Sequence, residues 1–154
     1  MIQRVQSIFM FLICILLGLN FFTVIWQYTD EGISITVGSI KAVYQHKNNI
    51  KQFNTIYISI LTLVSLIVTM ITLFSYKKRI LQIKLSQLNT LLISGIIGTY
   101  FIAIPRAKAW LQEPVYGEYQ WGFYIPIVCL LFNFISMHFI RKDEELVRSI
   151  DRIR

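Results

Sequence analysis

The chain has 154 residues, of which 55% are hydrophobic and 15% charged, with a formal net charge of +7. A soluble domain normally carries about a quarter charged residues, and here the charges cluster and leave long uncharged tracts between them. That pattern excludes an ordinary soluble core and a nucleic-acid-binding helix. It fits a protein whose basic segments meet an anionic membrane face.

Four tracts are long enough to cross a hydrocarbon core of about 30 Å, which takes roughly 20 helical residues. They are "IFMFLICILLGLNFFTVIW" (8–26), "TIYISILTLVSLIVTMITLFS" (55–75), "LNTLLISGIIGTYFIAI" (88–104) and "WGFYIPIVCLLFNFISMHFI" (121–140), and none holds Asp, Glu, Lys or Arg. A backbone in lipid must satisfy its own polar groups, so each tract predicts a helix. The first has the basic start of a signal peptide at Arg4. Its apolar run is too long for one, however, and Phe21, Phe22, Trp26 and Tyr28 read as an interfacial aromatic belt. A retained anchor is expected.

Outer loop 27–54 is too short for a core of its own. Within it, "ISITVGSIKAVY" predicts a β-hairpin turning on Gly38-Ser39. That register pairs Val37 with Ile40, Ile35 with Ala42 and Ile33 with Tyr44, all on one face. The apolar face then has to rest on the bilayer rim, the second outer loop or another protein, which makes Ile33, Ile35, Val37, Ile40 and Tyr44 candidate partner contacts.

The second tract carries Thr55, Thr62, Ser65, Thr69 and Thr72 in a three-four rhythm, which is one helix face. The third carries Ser86, Thr90, Ser94 and Gly98 at four-residue spacing, with Gly95 beside them. Small side chains let helices approach closely in lipid, so these two faces predict a sealed helical hairpin; the alternative is that the hydroxyls bond back to their own i−4 carbonyls. The second outer loop, 105–120, holds Pro105, Pro114 and Gly117 and reads as irregular. Pro126 lies early in the fourth tract, where it does little harm or adds a slight kink.

The chain closes on "RKDEELVRSIDRIR" (141–154). Leu146, Ile150 and Ile153 fall on one helical stripe, and Arg141–Glu145 and Glu144–Arg148 are i,i+4 pairs. The tail therefore reads as a cytoplasmic extension of the fourth helix. Its stripe would touch "RILQIKL" of the same chain or a partner, since a plain stop-transfer cap needs only the first two basic residues.

Arg4, Lys77, Lys78, Arg79, Lys84 and the five basic residues of the tail stand on one side. Lys41, Lys47, Lys51, Arg106 and Lys108 stand on the other, so ten against five places both termini in the cytoplasm. Asn20, Asn89, Asn133 and His138 are the remaining intramembrane polar groups, read as bonds between helices, with His138 near the cytoplasmic end reaching the interface, or, alternatively, as a ligand or proton path. Cys14 and Cys129 each lie inside an apolar tract and read as small buried hydrophobes. Neither a metal-ligand spacing, a phosphate loop nor a paired-cysteine motif is present in the sequence. No cofactor, metal or catalytic residue is expected, and neither nucleic acid nor a small-molecule substrate is inferred.

Three stretches, "MIQRVQSIFM", "LQIKLSQLN" and the closing "RKDEELVRSIDRIR", together resemble the domain-of-unknown-function family 4293, short four-span membrane proteins of Bacteroidota. The resemblance implies a bacterial inner-membrane location and carries over no functional residue. The expected fold is an all-α membrane protein of four transmembrane helices with a small outer hairpin. The expected role is a non-catalytic accessory or scaffold subunit of a larger membrane complex, with the lipid bilayer and other membrane proteins as partners. A small oligomeric transporter or channel is the alternative, and a membrane enzyme using His138 a remote one.

Overall fold

The computed structural model describes residues 2–30, 32–46, 49–75, 78–111 and 116–151, with side chains from 6 to 146 within those ranges. In chain order the elements are α1 (Ile2–Asn20), β1 (Val24–Asp30), β2 (Ile33–Gly38), β3 (Lys41–His46), β4 (Asn49–Asn54), α2 (Ile56–Phe74), α3 (Arg79–Lys108), β5 (Glu118–Tyr119) and α4 (Trp121–Asp151). The four helices form a bundle in which α1 packs on α4 and α2, and α3 packs on α2 and α4. An antiparallel five-stranded sheet, ordered β4-β3-β2-β1-β5, closes one end.

This corrects the all-α, four-span expectation. Among the described residues, three helices are long and apolar enough to cross a membrane: Ile56–Phe74, Arg79–Lys108 and Trp121–Leu146. The first tract does not run helical to Trp26. Helix α1 ends at Asn20, and the chain re-enters as strand β1 at Val24. The cause is local. The Asn20 carbonyl accepts hydrogen bonds from Thr23 Oγ1 (3.3 Å) and Ser39 Oγ (2.7 Å). The β-branched run Thr23-Val24-Ile25 then favours a pleated backbone. Trp26, read as part of an interfacial belt, is fully buried in the core.

The sheet has too little apolar surface to stand alone, and it shares the bundle's core. Trp26, Ile35, Val37 and Ala42 are fully buried in one cluster with Ile58, Ile93, Ile96, Tyr100 and Ala103 of the helices. Tyr44 and Phe53 lie against Trp110, with ring centroids 5.8 and 5.2 Å away. Residues alternate between faces along a strand, so the opposite face is left with Glu118, Gln27, Thr36, Val43 and Gln52 in one row and Thr29, Ser34, Gln45 and Ile50 in the next.

The hairpin register differs from the expected one by two residues. Val37 pairs with Ala42, Ile35 with Tyr44 and Ile33 with His46, so Gly38 to Lys41 form the turn and Ile40 sits at its exposed tip. A shift of two keeps every side chain on its face. The turn is set by the helices beneath it: Thr55 N–H donates to the Ile40 carbonyl (3.0 Å), Thr55 Oγ1 to the Gly38 carbonyl (2.8 Å) and Ser59 Oγ to the Ser39 carbonyl (2.8 Å). A tight two-residue turn would leave those groups unmatched.

Candidate functional site

The chemistry available within the bundle is a series of polar nodes between apolar layers. All are built on a four-three alternation along α3, where Gln82, Ser86, Asn89, Ile93, Ile96, Tyr100, Ala103 and Ala107 are buried. α2 answers with Ile58, Thr62, Ser65, Thr69 and Thr72. This is the rhythm that keeps one helix face on its neighbour. From Gln82 to Tyr100 the nodes span about 27 Å at 1.5 Å per residue, close to the thickness of a hydrocarbon core.

At the end away from the sheet, Gln6 Nε2 donates to Gln82 Oε1 (3.2 Å), and Gln82 Nε2 donates to the Thr72 carbonyl (3.2 Å). Ser136 Oγ reaches the Gln6 carbonyl (3.4 Å). The middle node joins three helices. Ser65 Oγ donates to Asn89 Oδ1 (2.7 Å), and Asn89 Nδ2 donates to Thr69 Oγ1 (2.9 Å). Asn133 Nδ2 lies 2.9 Å from the Ser86 carbonyl and 2.8 Å from Thr90 Oγ1.

The node nearest the sheet centres on Asn20. Its Nδ2 donates to the Gly122 carbonyl (3.0 Å), and the Tyr100 hydroxyl donates to its Oδ1 (3.2 Å). Through its backbone carbonyl the same residue holds the Ser39 turn. One asparagine therefore ties α1, α3, α4 and the sheet together. Gly122 is tightly seated here: a Cβ on it would stand 2.6 Å from the Val24 carbonyl oxygen.

Asn20, Asn89 and Asn133 thus join helices and are buried, whereas His138 faces outward from α4 beside Phe139. On α2, Thr62, Ser65, Thr69 and Thr72 are buried, although Thr62, Thr69 and Thr72 also bond back to their own i−4 carbonyls. On α3, Ser86 is buried and Thr90 half-buried, but Ser94 and Gly98 are exposed and Gly95 has open space beside it. Four-residue steps on a helix advance the face by about 40° each, so the expected seam turns away from α2 after Thr90. Accordingly, Gly98→Leu is expected to melt with the parent in mild detergent, while Asn89→Leu lowers the transition by severing two bonds; equal losses in both would put the contact back at Gly98.

The partner-contact expectation for the hairpin is also corrected. Ile35 and Val37 are fully buried and Ile33 and Tyr44 pack on the same core, so the chain covers that face itself. Ile40 alone of that set stands out at the turn. In the tail, α4 runs on to Asp151, and the contact with "RILQIKL" is polar: Arg79 pairs with the Asp143 carboxylate and carbonyl, each at 3.2 Å. Leu146 is part-exposed, while the Ile150 side chain and Ile153 lie outside the described residues.

Gln6, Gln82 and Tyr100 escape a search for polar residues within the four tracts. Gln6 and Gln82 lie outside those tracts, and Tyr100 passes as an aromatic. Extending the four-three rhythm of α3 in both directions finds Gln82 and Tyr100. Among the described residues no cluster of three or more His, Cys, Asp or Glu is placed to hold a metal ion.

A family model described as Domain of unknown function (DUF4293) matches residues 2–153. No curated protein matches the chain.

Proposed function

We propose, for a chain that belongs to the DUF4293 family, a role as a non-catalytic accessory or scaffold subunit of a larger membrane assembly. That it is a membrane protein follows from its three spanning-length helices. One observation carries the proposed role. The intramembrane asparagines bond helix to helix and the apolar sheet face bonds sheet to bundle, so a firmly mounted polar sheet surface is what the protein presents outside the bilayer. The channel alternative needs those same asparagines to line a path.

We place this protein in a bacterial inner membrane with the sheet outside. The start of α1 and the end of α4 lie at one end of the bundle, joined by Ser136 and Gln6. That end also carries Arg4, Lys78, Arg79, Lys84, Arg141, Lys142 and Arg148, against Lys41, Lys51, Arg106 and Lys108 at the sheet end, the basic excess expected on a cytoplasmic side.

One experiment tests both statements. A cysteine at Gln45 (Gln45→Cys), on the outer sheet face, is treated in intact cells with a membrane-impermeant cross-linker, then purified in mild detergent and identified by mass spectrometry. Adducts with unlike membrane proteins in stoichiometric amounts support the scaffold. Adducts only with further copies of the chain would overturn it in favour of the channel, and reaction only after lysis would overturn the orientation.

A further inference from the structure

The sheet has two edges, and the chain treats them differently. β1 is covered on its free side by β5, through Trp26–Tyr119, Gln27–Glu118 and the bond from the Gln120 N–H to the Ile25 carbonyl. β4 ends the strand order, and among the described residues nothing pairs with its far side. It is exposed at every residue but Phe53.

The register fixes which backbone groups line that open edge. The Thr55 N–H donates to the Ile40 carbonyl (3.0 Å), so these two form a hydrogen-bonded pair continuing the β3–β4 ladder. Bonded and non-bonded pairs alternate along an antiparallel ladder. Phe53, Lys51 and Asn49 therefore turn their N–H and C=O toward β3, while Asn54, Gln52 and Ile50 turn theirs outward. Three donors and three acceptors stand in line over about 14 Å. Open edges are usually blunted by a proline, a bulge or a charge directed off the strand. β4 has no proline, its register with β3 is unbroken, and Lys51 lies back over the Tyr44 ring at 6.0 Å.

A second copy does not complete this edge. β4 leads into α2 at Ile56 and so descends toward the bilayer, and the β4 of an upright neighbour descends too. Their pairing would be parallel, and a two-fold axis would set Gln52 against Gln52, both turned inward. In a parallel pair an inward-turned residue bonds instead to the two that flank its opposite number. A strand of another protein is free to run antiparallel.

We propose that β4 accepts, by strand addition, an extended segment of another protein on the sheet side of the membrane. The segment runs antiparallel to β4, bonds to Ile50, Gln52 and Asn54, and sets an acidic residue opposite Lys51. The assignment rests on the scaffold reading and states what the scaffold holds.

Proline discriminates, because an edge strand tolerates it only where the N–H points away from the sheet. Gln52→Pro is expected to melt with the parent in mild detergent, and Lys51→Pro, which removes an N–H turned toward β3, to melt lower. In intact cells, the adducts of Gln45→Cys with unlike proteins are expected to fall about fivefold or more when Gln52→Pro is added, the value of one lost hydrogen bond. They should fall with Lys51→Glu as well and hold with Gln52→Thr. Adducts that survive Gln52→Pro undiminished would overturn strand addition and leave the scaffold standing, whereas no adducts from Gln45→Cys alone would overturn both. Should Gln52→Pro fail to fold, Lys51→Glu decides, and parent-like adducts there would overturn the assignment.

Discussion

Replacing Gly122 with alanine is expected to destabilise the protein by about 1–3 kcal/mol, the usual range for overpacking a close-packed site. The new methyl would stand 2.6 Å from the Val24 carbonyl oxygen, 2.8 Å from Thr23 Oγ1 and 2.9 Å from the Val24 carbonyl carbon. Two of those three atoms are backbone, which cannot swing aside as the end of a long side chain can. Relief requires β1 to lift from α4, and β1 is the strand whose Trp26 is fully buried beneath it. The Gly122 carbonyl, which accepts from both Asn20 and Tyr100, would shift with it. Alanine is a better helix former than glycine by about 1 kcal/mol, and the steric cost has to exceed that gain. Gly95→Ala supplies the control, because it gains the same propensity where no atom lies within 4 Å of the new Cβ. Near-UV circular dichroism melts in mild detergent should therefore move down for Gly122→Ala and stay level or rise for Gly95→Ala. Parallel shifts in the two variants would show that β1 does not bear on α4.

How much of this arrangement the sequence discloses depends on which physical signal each element carries. The uncharged tract Thr55–Ser75 contains α2, Ile56–Phe74, because a long apolar helix needs no local cue beyond length and composition. Its buried face was legible too, since Thr62, Ser65, Thr69 and Thr72 keep the alternation of three and four that a packed helix requires. The face of α3 was not. Ser94 and Gly98 continue a uniform step of four, which winds around the helix, whereas the packed residues are Asn89, Ile93, Ile96 and Tyr100.

The strands divide along similar lines. β2 alternates apolar and polar residues and, with the Gly38-Ser39 turn signal after it, announces itself and its partner β3. β1 follows an apolar helix with no polar break except Asn20, and composition alone does not tell a buried strand from a buried helix. β4, "NIKQFN", is an edge strand exposed along most of its length, so it lacks the apolar face that marks a strand. β5 is two residues long and exists only as a partner for Trp26 and Gln27. The intramembrane asparagines stood out because such groups are rare in apolar tracts. Their partners on other helices, a glycine carbonyl and a tyrosine hydroxyl for Asn20 and serine and threonine groups for Asn89 and Asn133, exist only once the bundle is assembled.

The Asn20 node offers the most direct measure of what joins sheet and bundle. Asn20→Ala is expected to cost about 1–3 kcal/mol, because it leaves the buried Gly122 carbonyl without its amide donor. Tyr100→Phe, which removes only a hydroxyl, is expected to cost about 1 kcal/mol. The two effects should not add. The Tyr100 hydroxyl lies 3.2 Å from Asn20 Oδ1 and 3.3 Å from the Gly122 carbonyl, so once the amide is gone the hydroxyl can turn wholly toward the carbonyl and recover part of the loss. The double variant closes the cycle, and a coupling of roughly 0.6–1.7 kcal/mol is expected for hydrogen bonds inside a membrane bundle. Ser39→Ala separates the backbone contribution, since its hydroxyl bonds the Asn20 carbonyl rather than the amide and should add independently to Tyr100→Phe. Zero coupling between Asn20 and Tyr100 would mean that the amide does not hold the hydroxyl. The junction would then rest on the fully buried apolar contacts of Trp26, Ile35 and Val37 and on the turn bonds of Ser39, Thr55 and Ser59.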